Sequence, residues 1–164
     1  GAAEGYDCDG MPLEFIYNTS MHQAFYFFTT VTIDGENIES NDWVGAFNGD
    51  VCVGARKWDT SLCSGVCDVP VIGYDANSLG MTDGYMQTDG IPTFKIFDGS
   101  EGEYYNAIPS ESHSWINNEF FMVELLEGLT LFTYTINLHD GANLISFWAL
   151  PEDNSLDNMF TSNQ

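Results

Sequence analysis

Apolar and polar positions alternate with a period of two along most of this chain, and Gly, Asp and Asn interrupt the alternation at short intervals. That is the pattern of β-strands joined by turns. The densest stretch is DWVGAFNGDVCVGARKW, residues 42–58, in which two apolar runs flank Asn48-Gly49-Asp50. Asn-Gly in that setting predicts a hairpin on a type I′ turn, whose two central residues both need positive φ. Trp43, Gly45 and Phe47 share one face of the first strand, with Val44 and Ala46 on the other. On the return strand Val51, Val53 and Ala55 oppose Cys52, Gly54 and Arg56. With apolar side chains on both faces, the hairpin has to lie inside a sheet and be covered from both sides.

Upstream, Leu13, Phe15 and Tyr17 alternate, and so do Phe25, Phe27, Thr29, Val31 and Ile33, which predicts two strands or one bent strand ended by Asp34-Gly35. The same alternation puts Phe25, Phe27, Phe47 and Phe94 in the core. Downstream, DVPVIGY reads as a short strand with Pro70 at an edge or a bulge, because proline cannot donate to a ladder. IPTFKIFD, EYYNAI and EFFMVELL follow, and Glu127-Gly128 closes the last. About eight strands at this turn spacing predict an all-β fold, an antiparallel β-sandwich over residues 1–128. Beyond it, TLFTYTINL and NLISFWAL predict a C-terminal β-hairpin turning at His139-Asp140-Gly141, then a short helical turn capped by Asn154 or Ser155. Residues 129–164 read as the start of a second, incomplete module.

Charge narrows the partners. Against 25 acidic residues stand 3 basic ones, Arg56, Lys57 and Lys95, for a net charge of −22. Such a surface repels phosphate backbones and anionic headgroups, which argues against nucleic acid and bare membranes and makes divalent cations the natural counter-ions. No apolar run reaches the roughly 18 residues of a membrane span, so no membrane insertion is expected. There is no basic stretch followed by an apolar one at the N-terminus, and the chain reads as a mature, exported segment. Four cysteines allow three fully paired connectivities. Cys63 and Cys67 sit close enough for a local disulfide, and their spacing lacks the second pair or nearby histidine of a zinc site. An even cysteine count in a turn-rich acidic chain favours an oxidising compartment.

The stretches QAFYFF, VTIDGENIESNDWVGAFNGDVCVGARKWDT, CDVPVIGYD and GYMQTDGIPTFKIFDGSEGEYYNA cover most of residues 14–126. In them the chain resembles a repeat module of large secreted proteins of marine Bacteroidetes- and Marinimicrobia-like bacteria, exported by the type IX route. The tail INLHDGANLISFWALP is similar to the start of a module that often follows. The resemblance implies a secreted or cell-surface, non-catalytic module arrayed in tandem, and it carries no catalytic residue.

Three groups of residues carry candidate chemistry. Asp75, Asn77, Asp83 and Asp89 lie in one long polar loop with oxygen spacings suited to calcium, and Gly80 and Gly84 permit the tight turns. Trp58, Asp59, Tyr74, Tyr85, Trp115 and Asn117 fall at strand ends or in loops, where aromatic rings beside amides and acids suit a glycan. Phe132, Tyr134, Ile136, Ile145, Phe147 and Trp148 give the tail hairpin apolar faces that need cover, an assembly surface that would propagate into a filament or homo-oligomer if a second copy supplied it. The three histidines, His22, His113 and His139, stand in unrelated contexts, and neither a G-x-S-x-G nor an H-E-x-x-H motif occurs. A pair of carboxylates for glycoside hydrolysis remains a residual alternative in so acidic a chain. The expectation is a non-enzymatic module, calcium-stiffened, that binds glycan or a neighbouring module; the alternative is a structural subunit that self-assembles through its tail.

Overall fold

In the computed structural model, which describes residues 4–8 and 10–130, the alternating runs become eight strands. These are β1 (Gln23–Ile33), β2 (Glu36–Asn37), β3 (Trp43–Asn48), β4 (Val51–Lys57), β5 (Cys67–Ile72), β6 (Thr93–Asp98), β7 (Glu103–Pro109) and β8 (Phe120–Gly128). Two short 3-10 turns, Leu13–Phe15 and Thr60–Leu62, are the only helical elements among the described residues. The expected C-terminal hairpin and helical turn lie outside them.

The strands join in one mixed sheet of order β2-β1-β8-β7-β6-β3-β4, with β5 also paired to β1. Two separate antiparallel sheets were expected, and the difference has a topological cause. One side of β1 is taken by β5 along Gln23–Phe28 and by β2 at Thr32 and Ile33. The last strand therefore enters on the other side, between β1 and β7. Antiparallel to β7, it runs parallel to β1, from Phe25 opposite Phe120 to Ile33 opposite Gly128. Alternation reports which face a residue takes and says nothing of strand direction.

The sheet curls until β4 meets β5. A Cβ on Gly54 would fall 1.7 Å from the Pro70 carbonyl oxygen, so only glycine allows this approach. Arg56 bridges the same contact, its Nε donating to the Asp68 carbonyl at 2.9 Å and its Nη2 to the Asp68 carboxylate at 2.7 Å. Inside the curl lies the main core, led by Tyr26, Phe28, Val44, Phe94, Ile96 and Leu126.

The hairpin β3–β4 is covered from both sides, as its sequence requires. Val44, Ala46 and Val53 face the main core, while Phe47, Cys52 and Ala55 face a smaller cluster closed by Phe15. Gly45 is where the Phe15 ring rests, since a Cβ there would come within 2.9 Å of it. Leu13–Phe15 is thus a 3-10 turn and not a strand; Pro12 offers no N–H, and its carbonyl accepts from Phe15 at 2.9 Å, which turns the ring down onto the hairpin. The turn itself also differs from expectation. Asn48 pairs with Val51, so the central residues are Gly49-Asp50, and only Gly49 takes positive φ, at 60°. Glycine first is the type II′ arrangement. It leaves the Asn48 amide on the strand, where it donates to the Gly84 carbonyl at 2.9 Å.

Phe47 and Phe94 are core residues, but Phe25 and Phe27 are not. Strand β1 is apolar on both faces, and the core takes Ala24, Tyr26 and Phe28. Phe25 and Phe27 lie half-buried on the outer face, where Phe25 stacks on Phe120 with ring centres 5.5 Å apart.

Candidate functional site

Four chain segments meet where β1 begins and β5 ends, and backbone hydrogen bonds fix each to the next. The Gly73 amide donates to His22 at 2.7 Å, and the Tyr74 amide to Met86 at 2.8 Å. The Trp115 amide donates to Gly90 at 2.7 Å, and Asn118 to Gln23 at 2.7 Å. Between them opens a groove of about 500 Å³ lined by His22, Tyr74, Met86, Gln87, Thr88, Trp115 and Asn117. That volume falls in the range of small-molecule sites. Its floor is apolar and closely packed. The Trp115 indole donates to the Val71 carbonyl at 2.9 Å and lies over Gly73, where a Cβ would come within 2.5 Å of the ring. Met86 is buried beside it.

The polar groups of the groove are largely uncommitted. Asn117 Oδ1 accepts from the Gln23 amide at 3.0 Å, which fixes that side chain. Its Nδ2, the Gln87 amide, the Thr88 hydroxyl, the Tyr74 phenol and the His22 ring make no hydrogen bond among the described residues. Tyr74, 42% exposed, presents the accessible aromatic ring.

A second cavity, of about 350 Å³, opens where β2, the β6–β7 turn and Thr130 meet. Asp34, Glu36, Glu39, Asp42, Asp98 and Glu101 line it. Here the carboxylates are mostly engaged with the protein. Asp42, 3% exposed, accepts from the Glu39 amide at 2.6 Å and the Gly99 amide at 2.9 Å. Asp98 accepts from the Ser100 amide and hydroxyl and from the Glu101 amide; burial raises its pKa, but these bonds outweigh that and hold it below the ordinary carboxylate value. Asp34 is held low by the Thr130 hydroxyl and amide. Tyr105 donates to Glu101 at 2.8 Å, and this bond pushes its phenol up to about 12.

Of the six residues expected to bind glycan, the structure brings Tyr74, Trp115 and Asn117 to one groove and places Trp58, Asp59 and Tyr85 elsewhere. Trp58 is 5% exposed, drawn in by its amide bond to the Asp42 carbonyl at 2.7 Å and packed on Phe28. Asp59 caps the turn Thr60–Leu62 by accepting from the Ser61 amide. Tyr85 is 4% exposed, its hydroxyl accepting from the Asn18 amide at 2.7 Å. A strand-end position did not expose Trp58, whose indole packs on Phe28, and a loop position did not expose Tyr85, whose hydroxyl takes the Asn18 amide. His22, Met86, Gln87 and Thr88 were missed; Met86, Gln87 and Thr88 belong to the long polar loop, whose length was the available signal.

In that loop, Asp75 Oδ1 accepts from the Asn77 amide at 2.8 Å and from its side chain at 3.2 Å. Neither carboxylate of Asp83 and Asp89 hydrogen-bonds to this pair, and among the described residues no three His, Cys, Asp or Glu side chains gather as a metal site. The loop is tied instead by Thr82, which is fully buried: its hydroxyl accepts from the Asp75 amide at 2.9 Å and meets the Ser78 hydroxyl at 2.7 Å. Cys63 and Cys67 form a disulfide with a Cα separation of 5.0 Å, and Cys8 and Cys52 are free thiols. Phe132, Tyr134, Ile136, Ile145, Phe147 and Trp148, the expected assembly surface, lie outside the described residues. Among the described residues no helix is long and apolar enough to cross a membrane. Compared with family models, curated proteins and solved structures, the chain matches none.

Proposed function

We propose that this protein is a non-catalytic, exported module that binds a glycan in the groove between Tyr74 and Asn117, its curled sheet acting as a sandwich-like scaffold. The observation that carries the reading is convergence. An exposed ring, an apolar floor and five polar groups without hydrogen-bond partners among the described residues share one site whose backbone is fixed from four sides. A sugar offers the complement, a flat C–H face and hydroxyls that both donate and accept. The Cys63–Cys67 disulfide and the surplus of acid suit an extracellular setting. In the carboxylate-lined cavity, where a glycosidase pair would be sought, Asp34, Asp42 and Asp98 already serve backbone amides, which favours binding over hydrolysis.

One observation favours a second reading, contact with another copy or a neighbouring module. On the outer face of β1 and β8, Phe120 and Met122 are 63% and 61% exposed beside Phe25 and Phe27. Calorimetric titration with a panel of oligosaccharides, with light scattering on the same samples, tests both. Binding by a monomer, weakened about tenfold by Tyr74→Ala at unchanged melting temperature, is the expected result. Equal binding by that variant removes the groove from the account, and concentration-dependent growth without sugar binding favours assembly.

A further inference from the structure

We infer that the groove selects uncharged sugar rings and rejects uronate- or sulfate-bearing glycans. This deepens the glycan reading and depends on it. None of the lining residues is a carboxylate, lysine or arginine, and His22 is the only ionisable group besides the Tyr74 phenol. The three cations of the chain are not available to it. Arg56 is paired with Asp68 at 2.7 Å and Lys95 with Glu14 at 3.2 Å, while Lys57 ends β4; none lines the groove.

An anionic ring entering here would give up hydration without meeting a counter-charge. It would also approach a chain of net charge −22, in which Asp75 follows Tyr74 and Asp89 follows Thr88. A neutral diol meets what the site offers. Gln87 both donates and accepts, Asn117 Nδ2 donates from a fixed amide, and Thr88 and Tyr74 hydroxyls rotate to either role. The Met86 and Trp115 floor lies against the ring's C–H face without asking for charge.

The test is isothermal titration of the full chain with two matched series, neutral gluco-, xylo- and manno-oligosaccharides and their uronate counterparts, at 0.15 M and 0.5 M salt. At least one neutral series should bind with an affinity that salt changes less than twofold, and the uronate series should bind at least tenfold more weakly. Gln87→Lys, at an exposed position, should raise uronate affinity at least fivefold with the melting temperature unchanged. Uronate binding as tight as the neutral series overturns the inference and leaves the glycan reading standing. A Gln87→Lys variant that binds neutral rings and still ignores uronates also overturns it. If no series binds, the glycan reading itself falls and takes the inference with it.

Discussion

Two cavities sit on this one sheet, about 500 Å³ and about 350 Å³, and both are lined with polar side chains. In the larger, the side chains of Gln87, Thr88, Tyr74 and His22 make no hydrogen bonds among the described residues, and the groove is shaped by backbone contacts and a pinned indole. In the smaller, Asp34, Asp42, Asp98 and Tyr105 close turns and join segments, so their side chains are part of what shapes the cavity. A carboxylate bonded to two amides contributes to stability and offers little to a ligand. An amide bonded to nothing contributes little to stability and remains free to recognise. Polarity and volume alone would have ranked the two alike; the hydrogen-bond state of each group tells them apart.

That contrast breaks most visibly at Asp42. Asp42→Ala leaves the Glu39 and Gly99 amides without their acceptor at a nearly buried position, and each orphaned donor costs about 1–3 kcal/mol. A loss of about 3 kcal/mol is expected in urea unfolding. Thr88→Ala in the groove, an exposed and unbonded side chain, should stay within about 0.5 kcal/mol. Equal costs at the two positions would erase the distinction between a structural cavity and a binding one.

A smaller effect sharpens it through pH. Asp34 and Asp98 have pKa values below the ordinary carboxylate value of about 4, so the stability they contribute is present above that value and is lost as pH falls through the lowered ones. Tyr105 titrates near 12 instead of 10.0, because ionising it would break its bond to Glu101 beside that carboxylate's charge. Its contribution is intact below pH 10 and fades as pH rises from there through about 12. Melting curves recorded on both limbs should show Asp34→Asn flattening the acid limb and Tyr105→Phe the alkaline one. Unchanged limbs in both variants would mean that these bonds do not latch the cavity.

Much of this was legible in the sequence, for reasons visible in particular residues. The hairpin around Asn48 and its double-sided cover followed from apolar residues on both faces of residues 43–56, and β6, β7 and β8 followed from period-two runs. The parallel β1–β8 pair was not legible, since alternation carries no strand direction: occupancy of one side of β1 fixes where β8 enters, and its antiparallel pairing with β7 goes with the direction it runs. On β1, apolar residues fill both faces, so alternation could not say whether Phe25 or Tyr26 would face inward. The groove was half legible. Tyr74, Trp115 and Asn117 stood out as aromatic and amide groups in loops, whereas His22 enters the site only because the Gly73 amide reaches back to its carbonyl across some fifty residues. Long-range backbone contacts of that kind leave no local mark.

The smallest expected effect concerns calcium, for which Asp75, Asn77, Asp83 and Asp89 were singled out, and it separates a loop that folds itself from one that a cation must fold. Thr82 already satisfies the Asp75 amide from a fully buried position, and Asp75 Oδ1 already holds Asn77, so the loop beside the groove has an internal tie. Calcium bound by Asp83, Asp89 or the second Asp75 oxygen would add to that tie. Extracellular sites bind calcium with Kd on the order of 0.1–1 mM, and at a concentration equal to Kd the gain is RT ln 2, about 0.4 kcal/mol. Removing the tie should matter more: Thr82→Val deprives the Asp75 amide of its acceptor in a buried setting, at about 2 kcal/mol. We expect 1 mM calcium to raise the melting temperature of the wild-type chain by about one degree and EDTA to reverse it, with a larger shift in Thr82→Val, where the cation takes over the ordering. A shift of many degrees in the wild type would mean that calcium, not Thr82, holds the loop, and no shift in either protein would remove calcium from the account.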